Sequence, residues 1–125
     1  MGNDVKINYI EFHSKDLEAT KAFFNAVFGW SFTDYGPDYC DFSGEGVDGG
    51  FFRSNDMALA SGGAPRVLFY SGKLEETQAA IEAAGGEICR EVQSFPGGRR
   101  FHFIEPGGNE LGVWSDVDAD GSKIE

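Results

Sequence analysis

Basic residues are scarce in this sequence. Ten Lys and Arg stand against 21 Asp and Glu in 125 residues, which gives a net charge of −11. Such a surface repels phosphate backbones and anionic headgroups, so nucleic acid and membrane surfaces are excluded as partners. No apolar run approaches the roughly 18 residues of a membrane span. The opening residues, MGNDVKINYIEF, show no basic stretch followed by an apolar core. No secretory leader is expected there, and a cytoplasmic location is. Cysteine is limited to Cys40 and Cys89, with no CxxC pair. That excludes a thioredoxin motif and a structural zinc site, and both cysteines are expected as free thiols.

Glycine and phenylalanine are abundant. Gly accounts for 18 residues, about twice the usual share of roughly 7%. Phe accounts for 12, and aromatics make up 14% of the chain. That mixture suits strands, tight turns and a concave aromatic surface better than a helical bundle. Hydrophobic residues at 41% and charged residues at 25% are ordinary for a globular protein and exclude a disordered chain. The length fits one domain, which needs no disulfide or metal staple.

A repeat organises the sequence. The segment LEATKAFFNAVFG, residues 17–29, aligns with LEETQAAIEAAGG, residues 74–86, at an offset of 57, and six of 13 positions are identical. Both read as amphipathic helices. Asp16 is a candidate N-cap for the first, with Leu17, Thr20, Phe24, Val27 and Phe28 at helical spacing. Gly29 and Gly85-Gly86 stand where a left-handed C-cap favours glycine. A strand-like run precedes each helix, VKINYIEFH before the first and RVLFYS before the second. Three short strand-like runs follow each helix: about 30–33, 39–42 and 47–53, then 87–92, 99–104 and 110–114. Each half is therefore strand–helix–strand–strand–strand. Module one covers about 5–53, a linker 54–65, module two about 66–115, and an acidic tail 116–125.

A doubled βαβββ unit of this length resembles the vicinal oxygen chelate superfamily, which includes glyoxalase I, bleomycin-resistance proteins and extradiol dioxygenases. The residues that carry the resemblance are DLEATKAFFNAVFGW, AAGGEI and GRRFHFIEPGGNELGVW. The last string is similar to the family's end motif of an acid, proline, glycine and asparagine. The resemblance covers residues 5–115 and implies an α+β fold in which two modules form a curled mixed sheet. Helices cover one face, and the other face lines a cup.

Strand alternation assigns the faces. Ile10 and Phe12 should pack on a helix, as should Val67, Phe69, Leu111 and Val113. Tyr9, Glu11, Arg66, Tyr70, Glu110 and Trp114 should face the cup. In the family's metal-dependent members the ligands are His, Glu or Gln. The matching positions here are Tyr9, Gly50 or its neighbour Gly49, Arg66 and Gly112. Glycine offers no side-chain ligand, and a guanidinium repels a metal. No metal and no cofactor are therefore expected. The proposed ligand-binding set is Tyr9, Arg66, Tyr70, Glu110 and Trp114. Arg66 suits a carboxylate or similar oxyanion, or an ion pair with Glu11 that closes the sheet between the modules. Glu11 is also a candidate general base, on the expectation that it is buried.

Other motifs carry no chemistry. His13 and His102 read as structural. Gly44 to Gly49 spells GxGxxG, but acids stand where phosphates would lie, and no helix follows. Asp116, Asp118 and Asp120 open like a calcium loop that the chain is too short to complete. The reading that results is a metal-independent binding protein with a small-molecule ligand, forming a homodimer. The alternatives are a divergent lyase or isomerase related to lactoylglutathione lyase, or a protein-interaction module.

Overall fold

A computed structural model describes residues 5–56 and 59–125, so residues 57 and 58 of the linker lie outside the described residues. The first module contains β1 (Tyr9–Ser14), α1 (Leu17–Phe28), β2 (Thr33–Asp34), β3 (Tyr39–Phe42) and β4 (Asp48–Arg53). The second contains β5 (Leu68–Tyr70), α2 (Leu74–Ala83), β6 (Glu87–Phe95), β7 (Gly98–Ile104) and β8 (Glu110–Ser115). A 3₁₀ turn, Ala60–Gly62, lies between them.

The caps explain the helix bounds. Asp16 has extended backbone, and its carboxylate accepts the Ala19 N–H at 3.1 Å. Gly29 ends α1 at φ 75°, a left-handed conformation that a Cβ disfavours. At the start of α2, Lys73 stands in the place of Asp16 and offers no side-chain cap. Each expected strand has an observed counterpart, although β1 begins at Tyr9, β5 covers only Leu68–Tyr70 and β6 runs on to Phe95, and at residues 30–33 pairing is confined to Thr33–Asp34. Trp30 leaves the strand because its ring fills the core, 4.8 Å from Phe24 and 4.4 Å from Phe42.

The hydrogen bonding falls into two mixed four-stranded sheets, ordered β1-β4-β3-β2 and β5-β8-β7-β6. In each, the strand before the helix pairs parallel with the last strand of its own module: Glu11 opposite Gly50, and Leu68 opposite Gly112. β1 and β5 are therefore edge strands of separate sheets. One apolar core spans both modules. Phe24 of α1 packs against Phe51 of β4 at 5.3 Å and Phe69 of β5 at 6.2 Å. Phe23, outside the stripe read from the sequence, is 1% exposed and reaches Phe103 at 5.8 Å.

A polar staple also joins the modules. Ser14 and Thr20 hydroxyls lie 2.8 Å apart, and Thr20 donates to Glu105 at 2.9 Å. The buried Glu105 carboxylate also accepts the Gly107 N–H at 2.6 Å and the Asn109 amide at 2.7 Å. The same Asn109 amide donates to the His13 carbonyl across the module boundary. A Cβ on Gly107 would fall 2.0 Å from Thr20 Oγ1, so only glycine lets the loop approach this closely.

Candidate functional site

The faces of the two sheets turned away from the core differ in chemistry. On the first, Tyr9, Glu11, Tyr39 and Gly50 come together. Tyr9 and Tyr39 hydroxyls are 2.5 Å apart, and Tyr39 donates to Glu11 Oε2 at 3.1 Å. β4 lies between β1 and β3, so Tyr39 reaches Glu11 only by crossing it. Gly50 makes the crossing possible, since a Cβ there would lie 2.3 Å from the Tyr39 hydroxyl. Gly49 faces the other way, toward Phe42 and the Ile10 carbonyl, so Gly50 is the open-face position of the pair. Burial, and then the bonds to Tyr9 and Glu11, push the Tyr39 phenol well above the ordinary tyrosine range.

Glu11 itself is exposed, contrary to the burial that the general-base role requires. It also forms no ion pair with Arg66. Strand pairing stays within each module, so β3 supplies the partner of Glu11 and β8 the partner of Arg66.

The second sheet presents cations. Arg66 donates to Glu110 at 3.2 Å, with 28% and 11% of the two side chains exposed. Beside this pair is a cavity of about 370 Å³ lined by Arg66, Cys89, Arg90, His102, Ile104 and Glu110. His102 lies opposite Gly112 on one side and Arg90 on the other. It is 2% exposed, and its Nε2 has no hydrogen-bond partner. Arg66 Nε is buried and unpartnered as well. Burial, followed by the charges of Arg66, Arg100 and Arg90, holds the His102 imidazole below its ordinary pKa. Burial likewise raises the thiol of Cys89, so this cysteine is not an activated nucleophile.

Of the six site residues read from the sequence, only Arg66 and Glu110 line this cavity. Tyr9 and Glu11 lie on the other sheet. Tyr70 donates to Asp116 at 2.6 Å and packs edge-on against Trp114 at 5.2 Å, toward the folded-back acidic tail. Three participants escaped sequence reasoning: Tyr39, Arg90 and His102. Alternation around Phe101 and Phe103 already turns His102 to the open face, but its neighbours come from β5, β6 and β8.

The positions that match the family's metal ligands do not form a donor set. The Tyr9 phenol is bonded to Tyr39, and Arg66 is a cation bonded to Glu110. Gly50 lies under Tyr39, and a Cβ on Gly112 would lie 2.5 Å from Leu68 and 3.1 Å from His102. Among the described residues, no three His, Cys, Asp or Glu side chains gather at one point. Also among them, no helix is long and apolar enough to cross a membrane.

The fold has many solved relatives. A glyoxalase/bleomycin resistance protein/dioxygenase family enzyme from Burkholderia phytofirmans PsJN superposes with TM-score 0.74 at 14% identity, covering 89% of this chain and 98% of that one. A glyoxalase-related enzyme from Fulvimarina pelagi gives 0.72 at 20% identity, covering 94% and 96%. Lactoylglutathione lyase from Agrobacterium tumefaciens gives 0.66 at 19%, covering 90% and 95%. At these identities the likeness is one of fold. No curated protein matches the sequence. The sequence model of one family, however, matches residues 6–113, both modules from the first strand to the last. With paired βαβββ units and that match, the chain belongs to the Glyoxalase/Bleomycin resistance protein/Dioxygenase superfamily.

Proposed function

We propose that the protein binds a small organic molecule on the open face of its second module, without a metal ion. The observation that carries this reading is the fate of the four ligand positions: a bonded phenol, two covered glycines and a paired arginine. A cavity of about 370 Å³ beside one of them, Arg66, is large enough for a small ligand. Elemental analysis of purified protein is expected to find no stoichiometric divalent metal, and mass spectrometry after exposure to a metabolite pool to find a retained compound. One zinc, nickel, manganese or iron per chain, lost on mutating Tyr9 or Glu110, overturns the metal-independent reading.

The lyase or isomerase alternative draws support from the likeness of fold to lactoylglutathione lyase. It is weakened by Glu11, which is exposed and already accepts a hydrogen bond from Tyr39.

The protein acts as a homodimer in this reading. Val5 and Ile7 are about 80% exposed beside the edge strand β1, and Leu68 is exposed on edge strand β5. An apolar cleft of about 240 Å³ between the modules includes Ile10, Phe12, Val47, Val67 and Leu68. A second copy would cover this surface. Light scattering should give twice 13.6 kDa at micromolar concentration, and a 13.6 kDa species refutes the dimer.

A further inference from the structure

We infer that the cavity beside Arg66 and His102 selects a small organic carboxylate with an apolar body. The inference rests on the binding reading above and names the ligand class. Its basis is the set of groups left without partners. Arg66 uses one terminal nitrogen on Glu110, while its buried Nε has no acceptor. His102 Nε2 is equally buried and unpartnered, on a side chain 2% exposed. Buried polar groups in folded proteins are almost always satisfied, and two residues that carry such orphans, Arg66 and His102, both line this cavity, which points to a group that settles against them.

The missing partner must be an acceptor, because guanidinium nitrogens only donate. Charge sharpens the choice. Arg66 and Arg90 face one carboxylate, Glu110, across the cavity, in a chain whose net charge is −11. The local surplus of one cation calls for a monoanion. A planar carboxylate can accept from a guanidinium fork and from an imidazole N–H at once. The remainder of the wall, Ile104 and the Cys89 thiol, suits an apolar body. Arg66 is bonded to Glu110, and His102 lies opposite Gly112, two residues further along the same strand.

The test uses benzoate and its neutral isostere benzamide on full-length ¹⁵N-labelled protein, followed by NMR of the Arg66 Nε–Hε and His102 imidazole signals. Benzoate is expected to shift both signals saturably, and benzamide neither. Arg66→Met should weaken benzoate about tenfold. If Arg66→Met does not fold, Arg90→Met, which leaves the Arg66–Glu110 pair in place, serves instead with the same expected loss. Equal binding of benzoate and benzamide overturns the carboxylate inference and leaves the small-molecule reading standing. Benzoate shifts that survive both substitutions overturn it too, since the anion then sits elsewhere. If neither compound moves the two signals, the carboxylate class is wrong. The binding reading falls with it only if the metabolite pool also leaves no retained mass.

Discussion

The two modules share a topology and differ in what they place on it. Ser14 and Thr20 hydroxyls lie 2.8 Å apart, and their repeat mates Ser71 and Thr77 lie 2.7 Å apart. The Asp16 N–H donates to Ser14 at 3.1 Å, and the Lys73 N–H to Ser71 at 3.0 Å. The scaffold is thus copied down to individual hydroxyls. The open faces are not copied. The first carries phenols and Glu11, the second arginines and a histidine. Only Thr20 donates onward to a buried carboxylate, Glu105. Backbone geometry and side-chain hydroxyls at the helix start serve the fold in both halves. The open faces, free of that duty, have been filled with opposite chemistry.

The largest test of this contrast is at the staple. Glu105→Ala is expected to cost about 3 kcal/mol, because Thr20, Gly107 and Asn109 lose their acceptor together. Thr20→Val should cost about 2 kcal/mol and Thr77→Val about 1 kcal/mol or less, since only the first leaves a buried carboxylate short of a donor. Equal losses in denaturant melts would mean that the copied hydroxyls carry all the effect. Burial raises the Glu105 carboxyl above its usual 4.5, against the pull of its donors. The folded state then binds this proton more readily than the unfolded state. The contribution of Glu105 to stability is greatest below pH 4.5, and it is lost as pH rises through the folded value.

A smaller effect separates the open faces. Arg66→Met should cost about 1 kcal/mol, discounted for partial exposure of the pair, and should couple to Glu110→Gln in a double-mutant cycle. Glu11→Gln should change stability by less than about 0.5 kcal/mol, as an exposed residue with one neutral partner. Coupling between Arg66→Met and Glu11→Gln would contradict the separation of the two sheets.

The smallest effect is on titration. The groups that act on His102 are Arg66, Arg90 and Arg100, which lower its pKa together with burial, and Glu110, which raises it. The folded state therefore disfavours the imidazolium. Stability from this group is present above the ordinary value of 6.5 and lost as pH falls through the lower folded value. Imidazole NMR should show His102 titrating below 6.5, and Arg66→Met should move it upward. A titration at or above 6.5 would contradict the buried, arginine-flanked placement.

Local pattern made the helices, the caps and the faces of the strands legible. Asp16 and Gly29 act within a few residues of the turns they close, and alternation of period two sends Phe101 and Phe103 one way and His102 the other. Non-local partners were not legible. The Thr20–Glu105 bond spans 85 residues. Arg66 could be assigned to the open face, but the ion pair expected with Glu11 is made with Glu110 instead, because the partner depends on which strands pair. Tyr39 was placed on a strand, yet its reach to Glu11 depends on the bare Gly50 of the strand between. Arg90 meets His102 only because β6 slips register between Ile88 and Arg90. Bulges of that kind leave little trace in composition.

The covered glycines bear on how such a chain could change over generations. An acidic side chain at position 50 would collide with the Tyr39 hydroxyl, and one at position 112 with Leu68 and His102. Either replacement requires its neighbour to turn away, Tyr39 in the one case and Leu68 in the other. Shrinking Tyr39 first removes the hydrogen-bond partner of Tyr9 and Glu11 and brings no new contact in return. A side chain gained at either glycine therefore has to be accommodated by its neighbour, so the two positions are tied to Tyr39 and Leu68 by ordinary van der Waals contact.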